Sequence, residues 1–363
     1  MKSPSPASIN ILSALGLALA ATLAVLFFAG APPLTTLTVL FGGGLNSTAS
    51  LLKTFSSFIP LFLCATALLA TYAAGLWNIG VEGQITLGAV FAAGFLRLPD
   101  PGSFPPALAL ILALTAAFAG GALWALLAGA LRVYGRVHEI FSGLGLNFAA
   151  TGVTLWLILG PWKRAGMASL SGTEPLPEAF RLPGFAGKPA SMAGLVLAVA
   201  AFALVVWLLR RTTWGLKLAA VRQNLKAARL MGLSPGRRML QAMALCGGLA
   251  GLAGGLLVTG LYHRLIPSIS GNFGYTAILA VLMVSLAPSF VPVACFFFAV
   301  LLAGAVQLPM ALELDSSLSG VIQGVLVLAF LAAGRMGIGG KLGGKLGGKP
   351  GGRLEGRLTG DTT

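Results

Sequence analysis

The sequence predicts an all-α fold, a polytopic transmembrane bundle of about ten helices, on three observations. Hydrophobic residues make up 57% of the 363 positions and charged residues only 9%, where a soluble domain carries about 25% charge. Apolar runs of at least about 18 residues recur, long enough to cross a hydrocarbon core of roughly 30 Å as helix. The period-two alternation of a transmembrane barrel does not occur.

Taken in order, the spans lie near 9–30, 57–75, 77–97, 105–131, 137–160, 191–209, 239–262, 273–288, 290–311 and 317–334, each bounded by Pro, Gly or charge. The first opens with Lys2 and ends near "AGA" at Ala29 to Ala31, in the manner of a signal peptide. Because so many spans follow a run of this length, an uncleaved first helix is the better reading. The third span begins in a polar stretch and is not expected to be a plain helix.

Lys and Arg set the orientation. Residues 210–238 hold Arg210, Arg211, Lys217, Arg222, Lys226, Arg229, Arg237 and Arg238 with no Asp or Glu, so this loop is expected in the cytoplasm. Threading ten spans outward from it puts Arg132, Arg136 and the tail inside, and Glu313, Asp315 and the loop 161–190 outside. Both termini are then cytoplasmic. The expected organisation is a transmembrane domain over 1–335 and a Gly-rich basic tail over 336–363. The tail places Lys341, Lys345, Lys349, Arg353 and Arg357 four apart. So much Gly does not hold a helix, and the tail reads as a disordered segment attracted to anionic membrane lipid. Gly339 to Lys345 matches G-x-x-x-x-G-K, but Leu346 stands where a phosphate loop needs Ser or Thr.

Catalysis finds no support. His138 and His263 fall on opposite sides of the membrane map, and neither adjoins a cysteine or a carboxylate pair. No metal or other cofactor is implied, nor a nucleic-acid partner. Cys64, Cys246 and Cys295, each inside an apolar run, read as small buried hydrophobes.

Two features carry chemistry. The first is "LWNIGVEGQITLGA" at Leu76 to Ala89, with Asn78, Glu82 and Gln84 inside a greasy chain. A carboxylate facing lipid costs several kcal/mol, so Glu82 is expected in the bundle interior or a wet cavity, paired or hydrogen-bonded. Gly80 and Gly83 permit a break in the helix, whose backbone groups Asn78 and Gln84 can satisfy. These residues either line a path or lock the broken segment to helices near Glu139 and Asn147. The second is "AAVRQNLKAARLMG" at Ala219 to Gly232, read as one amphipathic helix with an apolar stripe at Val221, Leu225 and Ala228 and a basic stripe at Arg222, Lys226 and Arg229. Such a helix lies on the membrane surface or docks a soluble partner.

The stretch "GLWNIGVEGQITLGA" resembles the N-x-G-x-E-G-Q segment of ABC-transporter permeases of the branched-chain amino acid, ribose and nucleoside group. "VHEIFSGLGLNF" at Val137 to Phe148 and "WGLKLAAVRQNLKAARLMGLS" at Trp214 to Ser234 are similar to two further segments, and "CGGLAGLAGG", "GYTAILAVLM" and "VIQGVLVLA" follow in the family's order. His138, Ala219 and Arg222 depart from the pattern, which often has Asn, Arg and Gly there. The resemblance implies an importer permease that takes up a small polar solute, nucleosides first, with simple sugars and branched-chain amino acids behind. It implies a second permease subunit, a cytoplasmic ABC ATPase and an external substrate-binding lipoprotein at a bacterial inner membrane. It further implies that Gly215, Arg222, Asn224, Lys226, Ala227, Ala228, Arg229 and Gly232 belong to an ATPase-coupling loop; for Asn78, Glu82, Gln84, Glu139 and Asn147 the two compatible roles stay open, lining the translocation path or locking the broken segment. An ion-coupled secondary transporter is the competing class, less favoured because no repeat is visible.

Overall fold

A computed structural model describes residues 20–24, 26–28, 30–98, 105–164, 171–184, 191–284, 286–313 and 317–335. The fold is all-α, and no strand occurs among the described residues. Contacts divide the chain into two units, residues 1–34 with 320–363, and residues 35–319. In the first, the tail and most of the first expected span lie outside the described residues, and residues 20–24 and 26–28 are helical.

The second unit holds the site. Its helices are α1 (Pro33–Leu45), α2 (Thr48–Ala73), α3 (Val81–Leu96), α4 (Pro106–Val133), α5 (Glu139–Leu159), α6 (Met192–Arg211), α7 (Thr213–Gln223), α8 (Leu225–Leu230), α9 (Pro235–Leu256), α10 (Phe273–Met283), α11 (Val291–Ala305) and α12 (Leu308–Leu312). The chain continues into α13 (Ser317–Arg335). Polar caps and N-terminal prolines start several of them. Ser47 accepts from Ser50 N–H ahead of α2 and Ser191 from Gly194 N–H ahead of α6, while Pro106 and Pro235 occupy first-turn positions where a missing N–H costs nothing.

Six described helices are long and apolar enough to cross a membrane: α2, α4, α5, α6, α9 with the π turn Leu257–Tyr262, and Pro288–Ala305. This is fewer than the ten spans expected, for identifiable reasons. The expected third span is the short helix α3, because the polar stretch before Val81 is not helical. The expected eighth span is α10, only 11 residues long, flanked by Asn272 and Leu286 with positive φ of 62° each. The expected first span lies mostly outside the described residues, whereas the ninth is kept as Pro288–Ala305, with the end of 290–311 forming the separate α12. Pro99 to Ser103 and much of the loop 161–190 lie outside the described residues.

The centre of the unit is formed by α2 and α9, both largely buried, whereas α4 and α6 expose most of their length. Small residues let α9 in. Its "GGLAGLAGG" stripe packs Gly247 and Gly251 on the α4 backbone at Gly121 and Ala117, and Gly254 on the α3 backbone at Ile85. A methyl group at any of the three would strike main chain, so close backbone approach, as in other membrane helix pairs, is what the glycines provide.

Candidate functional site

After α2 the chain turns at Gly75 (φ 77°) and runs without helix to Gly80, where α3 begins. The first N–H groups of a helix lack partners within it, and at membrane depth no bulk water replaces them. Side chains do so here. Asn147 of α5 accepts from Gly83 N–H at 2.8 Å and donates from its Nδ2 to the Ile79 carbonyl at 3.0 Å. Asn78 and Gln84 form a reciprocal amide pair, Nδ2 to Oε1 at 2.9 Å and Nε2 to Oδ1 at 3.1 Å. Asn78 Nδ2 also reaches Cys246 Sγ of α9 at 3.1 Å. Gly83 leaves room for Asn147, since a Cβ there would lie 2.9 Å from its Oδ1. Gly143 does the same for the turn, since its Cβ would lie 2.6 Å from Gly80 N.

Glu82 is 8% exposed. Its Oε2 accepts from Gly274 N–H at 2.8 Å, and the Asn272 and Tyr275 N–H groups and the Ser270 hydroxyl surround the same carboxylate. Glu82 therefore sits on the N-terminus of α10, where unpaired N–H groups and the helix dipole favour an anion. Tyr275 closes the cluster, its hydroxyl accepting from Asn147 Nδ2 at 3.1 Å. Two short helices, α3 and α10, thus begin side by side, held by one carboxylate and three amides.

Glu139 stands apart. In the first turn of α5, about 12 Å of helix from Asn147, it pairs with Arg132 Nε at 3.0 Å. His138 caps α5 by accepting from Ile140 N–H.

The basic loop forms two helices where one was expected over 219–232. Asn224 is extended (φ −158°, ψ 109°), and its side chain accepts from Lys226 N–H at 2.9 Å and Ala227 N–H at 3.0 Å, so it ends α7 and caps α8. The expected apolar stripe does not survive the break. Val221 and Ala228 are buried in a cluster with Ala74, Leu76, Leu218, Met239 and Met243, while Leu225 is exposed. Arg222, Asn224, Lys226, Ala227 and Arg229 are also exposed, and so are Leu230 (90%) and Met231 (78%). Gly215 packs on the Leu209 carbonyl, and Gly232 (φ 78°) ends α8. Arg222 crosses Gly75, where a Cβ would lie 3.2 Å from its Cγ. The hairpin α7–α8 is therefore seated on the chain segment that leads into Asn78.

At the opposite end of α9, residues 171–184 lie along 259–265. Thr173 N–H donates to the Leu265 carbonyl, Leu176 N–H to that of His263 and Leu182 N–H to that of Thr259. Burial holds the His263 imidazole below its ordinary value, the Thr259 carbonyl opposes this, and the Arg181 charge adds to it.

Reading the sequence missed Gly143, Cys246, Ser270, Gly274 and Tyr275. Tyr275 and Gly274 lie in the "GYTAILAVLM" match, so position was the available signal; nothing local marks Gly143 or Cys246.

Residues 50–331 match the family described as branched-chain amino acid transport system, permease component. Among individual proteins, the chain is 30% identical over 305 residues to the glucose ABC transporter permease protein TsgB13 of Haloferax volcanii, covering 81% of this chain and 79% of that one. It is 25% identical over 283 residues to the guanosine ABC transporter permease protein NupP of Bacillus subtilis, covering 76% and 79%. The nucleoside ABC transporter permease protein NupB of Lactococcus lactis subsp. cremoris is 26% identical over 275 residues, covering 73% and 75%.

Proposed function

Since the chain belongs to the family of permease components of branched-chain amino acid transport systems, we propose that it is one permease subunit of an ATP-driven importer of nucleosides. A second permease subunit, a cytoplasmic ABC ATPase and an external binding lipoprotein complete the assembly. Residues 1–335 form its membrane domain in the inner membrane, both termini face the cytoplasm, and the tail 336–363 meets anionic lipid. The subunit itself hydrolyses no ATP.

One observation carries this reading. The hairpin α7–α8 has an inner face buried in the bundle and an outer face of Leu225, Lys226, Ala227, Arg229, Leu230 and Met231 turned away from it. A hairpin anchored this way transmits a push from a soluble partner, whereas a helix merely resting on lipid needs no buried seat. Its seat contains Ala74 and Leu76, directly before Asn78. In this mechanism Asn78, Gln84 and Asn147 make the start of α3 stiff, Glu82 ties it to α10, and both short helices move as one with the coupling hairpin. Glu139, paired with Arg132, fixes the entry of α5 at the same end.

The test is uptake in vesicles. The chain with its ATPase and lipoprotein should take up guanosine only when ATP is supplied, and the chain alone should take up none; uptake without an ATPase would sink the reading. Simple sugars are the second reading, favoured by the 30% identity to the glucose permease. Competition of labelled guanosine against glucose and leucine separates the two.

A further inference from the structure

The outward face of α6 shows what this chain presents to lipid: Met192, Val196, Val199, Leu204 and Trp207, all apolar. The segment leading into α10 presents something else. Ser268, Gly271, Asn272 and Tyr275 (36%) are exposed, and they lie far from the Leu96 end of α3. The N–H groups of Asn272 and Tyr275 reach Glu82, from which α3 runs on to Leu96, roughly 20 Å of helix. Irregular backbone at membrane depth persists where it is buried in protein or lines a water-filled cavity. Ile269 and Ser270 meet the first condition within this chain; Ser268, Asn272 and Tyr275 are exposed on it, so they face either the second permease subunit of the proposed assembly or a water-filled cavity.

Asn272 is the informative member. It holds a left-handed φ of 62°, a conformation that serves glycine best, and its side chain makes no cap bond to α10. The Glu82 carboxylate already occupies that helix terminus. Asn272 is left exposed, three residues before Tyr275, whose hydroxyl accepts from Asn147.

We propose that Ser268, Asn272 and Tyr275 form this subunit's contact strip for the transported solute, and that the solute is a neutral, ring-bearing polyol. This rests on the importer reading and deepens it. Hydroxyl, amide and phenol match sugar hydroxyls, and the Tyr275 ring offers a stacking face. The strip exposes no charge, whereas a zwitterionic amino acid would meet neither an exposed cation nor an exposed anion on it. A nucleoside and a simple sugar share the recognised chemistry.

Two experiments on the complete importer test the proposal. In the first, Ser268→Cys, Asn272→Cys and Val196→Cys are reacted in vesicles with a water-soluble thiosulfonate; the native cysteines are buried. Cys at 268 and 272 should react and Cys at 196 should not, and saturating guanosine or glucose, whichever is taken up, should slow the reaction several-fold. Equal silence at all three positions, or no protection by the transported solute, overturns the strip. Protection by leucine alone, with leucine uptake, overturns the polyol assignment and the nucleoside reading while leaving the path in place. In the second, Asn272→Gly keeps the left-handed backbone and deletes only the amide. KM for uptake should rise about tenfold, the equivalent of one hydrogen bond, with assembly intact; an unchanged KM assigns Asn272 to the backbone turn alone and refutes the contact.

Discussion

A bulky residue introduced at Ala227 or at Ala228 separates docking from folding, although the two alanines are adjacent. Ala228 is 2% exposed and packs among Leu218, Val221, Leu76 and Met243, so Ala228→Trp overfills a closed cluster. Such overpacking costs about 1–3 kcal/mol, which lowers the melting temperature of the isolated chain by about 5 °C if it behaves as a large domain. Ala227 points outward, and a substitution there changes stability by no more than about 0.5 kcal/mol. Its cost falls on the partner interface instead. The assay has two readouts, thermal melting of the purified chain and copurification of the ATPase. Ala227→Trp should melt like the parent and lose the ATPase. Ala228→Trp should melt lower and lose it as well, through a deformed seat. Full ATPase retention by Ala227→Trp would refute docking through the outer face of α8, and parental melting of Ala228→Trp would refute its buried seat.

Glu82→Gln should assemble and keep part of the uptake, because the amide still accepts from Gly274 N–H; Glu82→Ala leaves the α10 N–H groups unmatched, at about 1–3 kcal/mol for each buried orphan, and should abolish uptake, so normal uptake by the alanine variant would contradict the tie. Asn147→Leu removes the partners of Gly83 N–H, the Ile79 carbonyl and the Tyr275 hydroxyl together; it should destabilise by more than Asn147→Asp, which keeps the acceptor for Gly83, and hydrogen exchange at Gly83 reads the difference. Reversing Arg222, Lys226 and Arg229 to Glu should weaken ATPase binding about tenfold or more at low salt and less at high salt, since exposed pairs contribute about 0.2–1 kcal/mol each and are screened; salt-independent binding would refute the electrostatic contribution. The depressed pKa of His263 means the folded chain binds fewer protons there than the unfolded one. Stability from this site is therefore full above the ordinary histidine pKa and declines as pH falls through it. Melting from pH 8 down to pH 5 should drop less in His263→Asn, which suits the left-handed φ of 53°; identical slopes would dismiss the site.

The membrane class and the helical fold were legible because they depend on composition and run length, which survive any packing arrangement. The break before α3 was legible too, since Asn, Glu and Gln flanked by Gly80 and Gly83 are out of place in a continuous span. The shortness of α10 was not. Its sequence is apolar from Phe273 to Ala287 apart from Tyr275, Thr276 and Ser285, and what limits it is backbone conformation at Asn272 and Leu286, which hydropathy does not encode. The division of α7 from α8 had a local signal that was passed over. Asn224 before "LKAARL" is a favoured N-cap residue, but counting stripes across it merged two helices and assigned Leu225 and Ala228 to one face. Asn147 does bond the broken segment, at Ile79 and Gly83, but Gly274 beside Glu82 and Tyr275 beside Asn147 come from α10, far away in sequence, and no spacing rule connects them.

The segment from Ala74 to Gly80 is where the proposed mechanism is most constrained. Ala74 and Leu76 belong to the seat of the α7–α8 hairpin, Asn78 belongs to the amide pair, and the Ile79 carbonyl is held by Asn147. Neighbouring residues of one short non-helical stretch thus serve two structures, and a stretch pinned at both ends has no slack to absorb a shift. A displacement of α7–α8 that moves Leu76 must therefore be accommodated at Asn78, either by rupture of its amide pair or by motion of α3 as a body. Rupture would strand two buried amides at a cost of about 1–3 kcal/mol each, whereas rigid motion of α3 carries Glu82 and, through Gly274 N–H, the start of α10 with it. The less costly route is the rigid one, and it delivers the movement to Asn272 and Tyr275. Replacing Asn78 and Gln84 together by Leu should then leave ATP hydrolysis running while uptake falls, because the apolar pair removes the link without orphaning an amide; uptake that persists at the parental rate would show that the hairpin reaches α10 by another path.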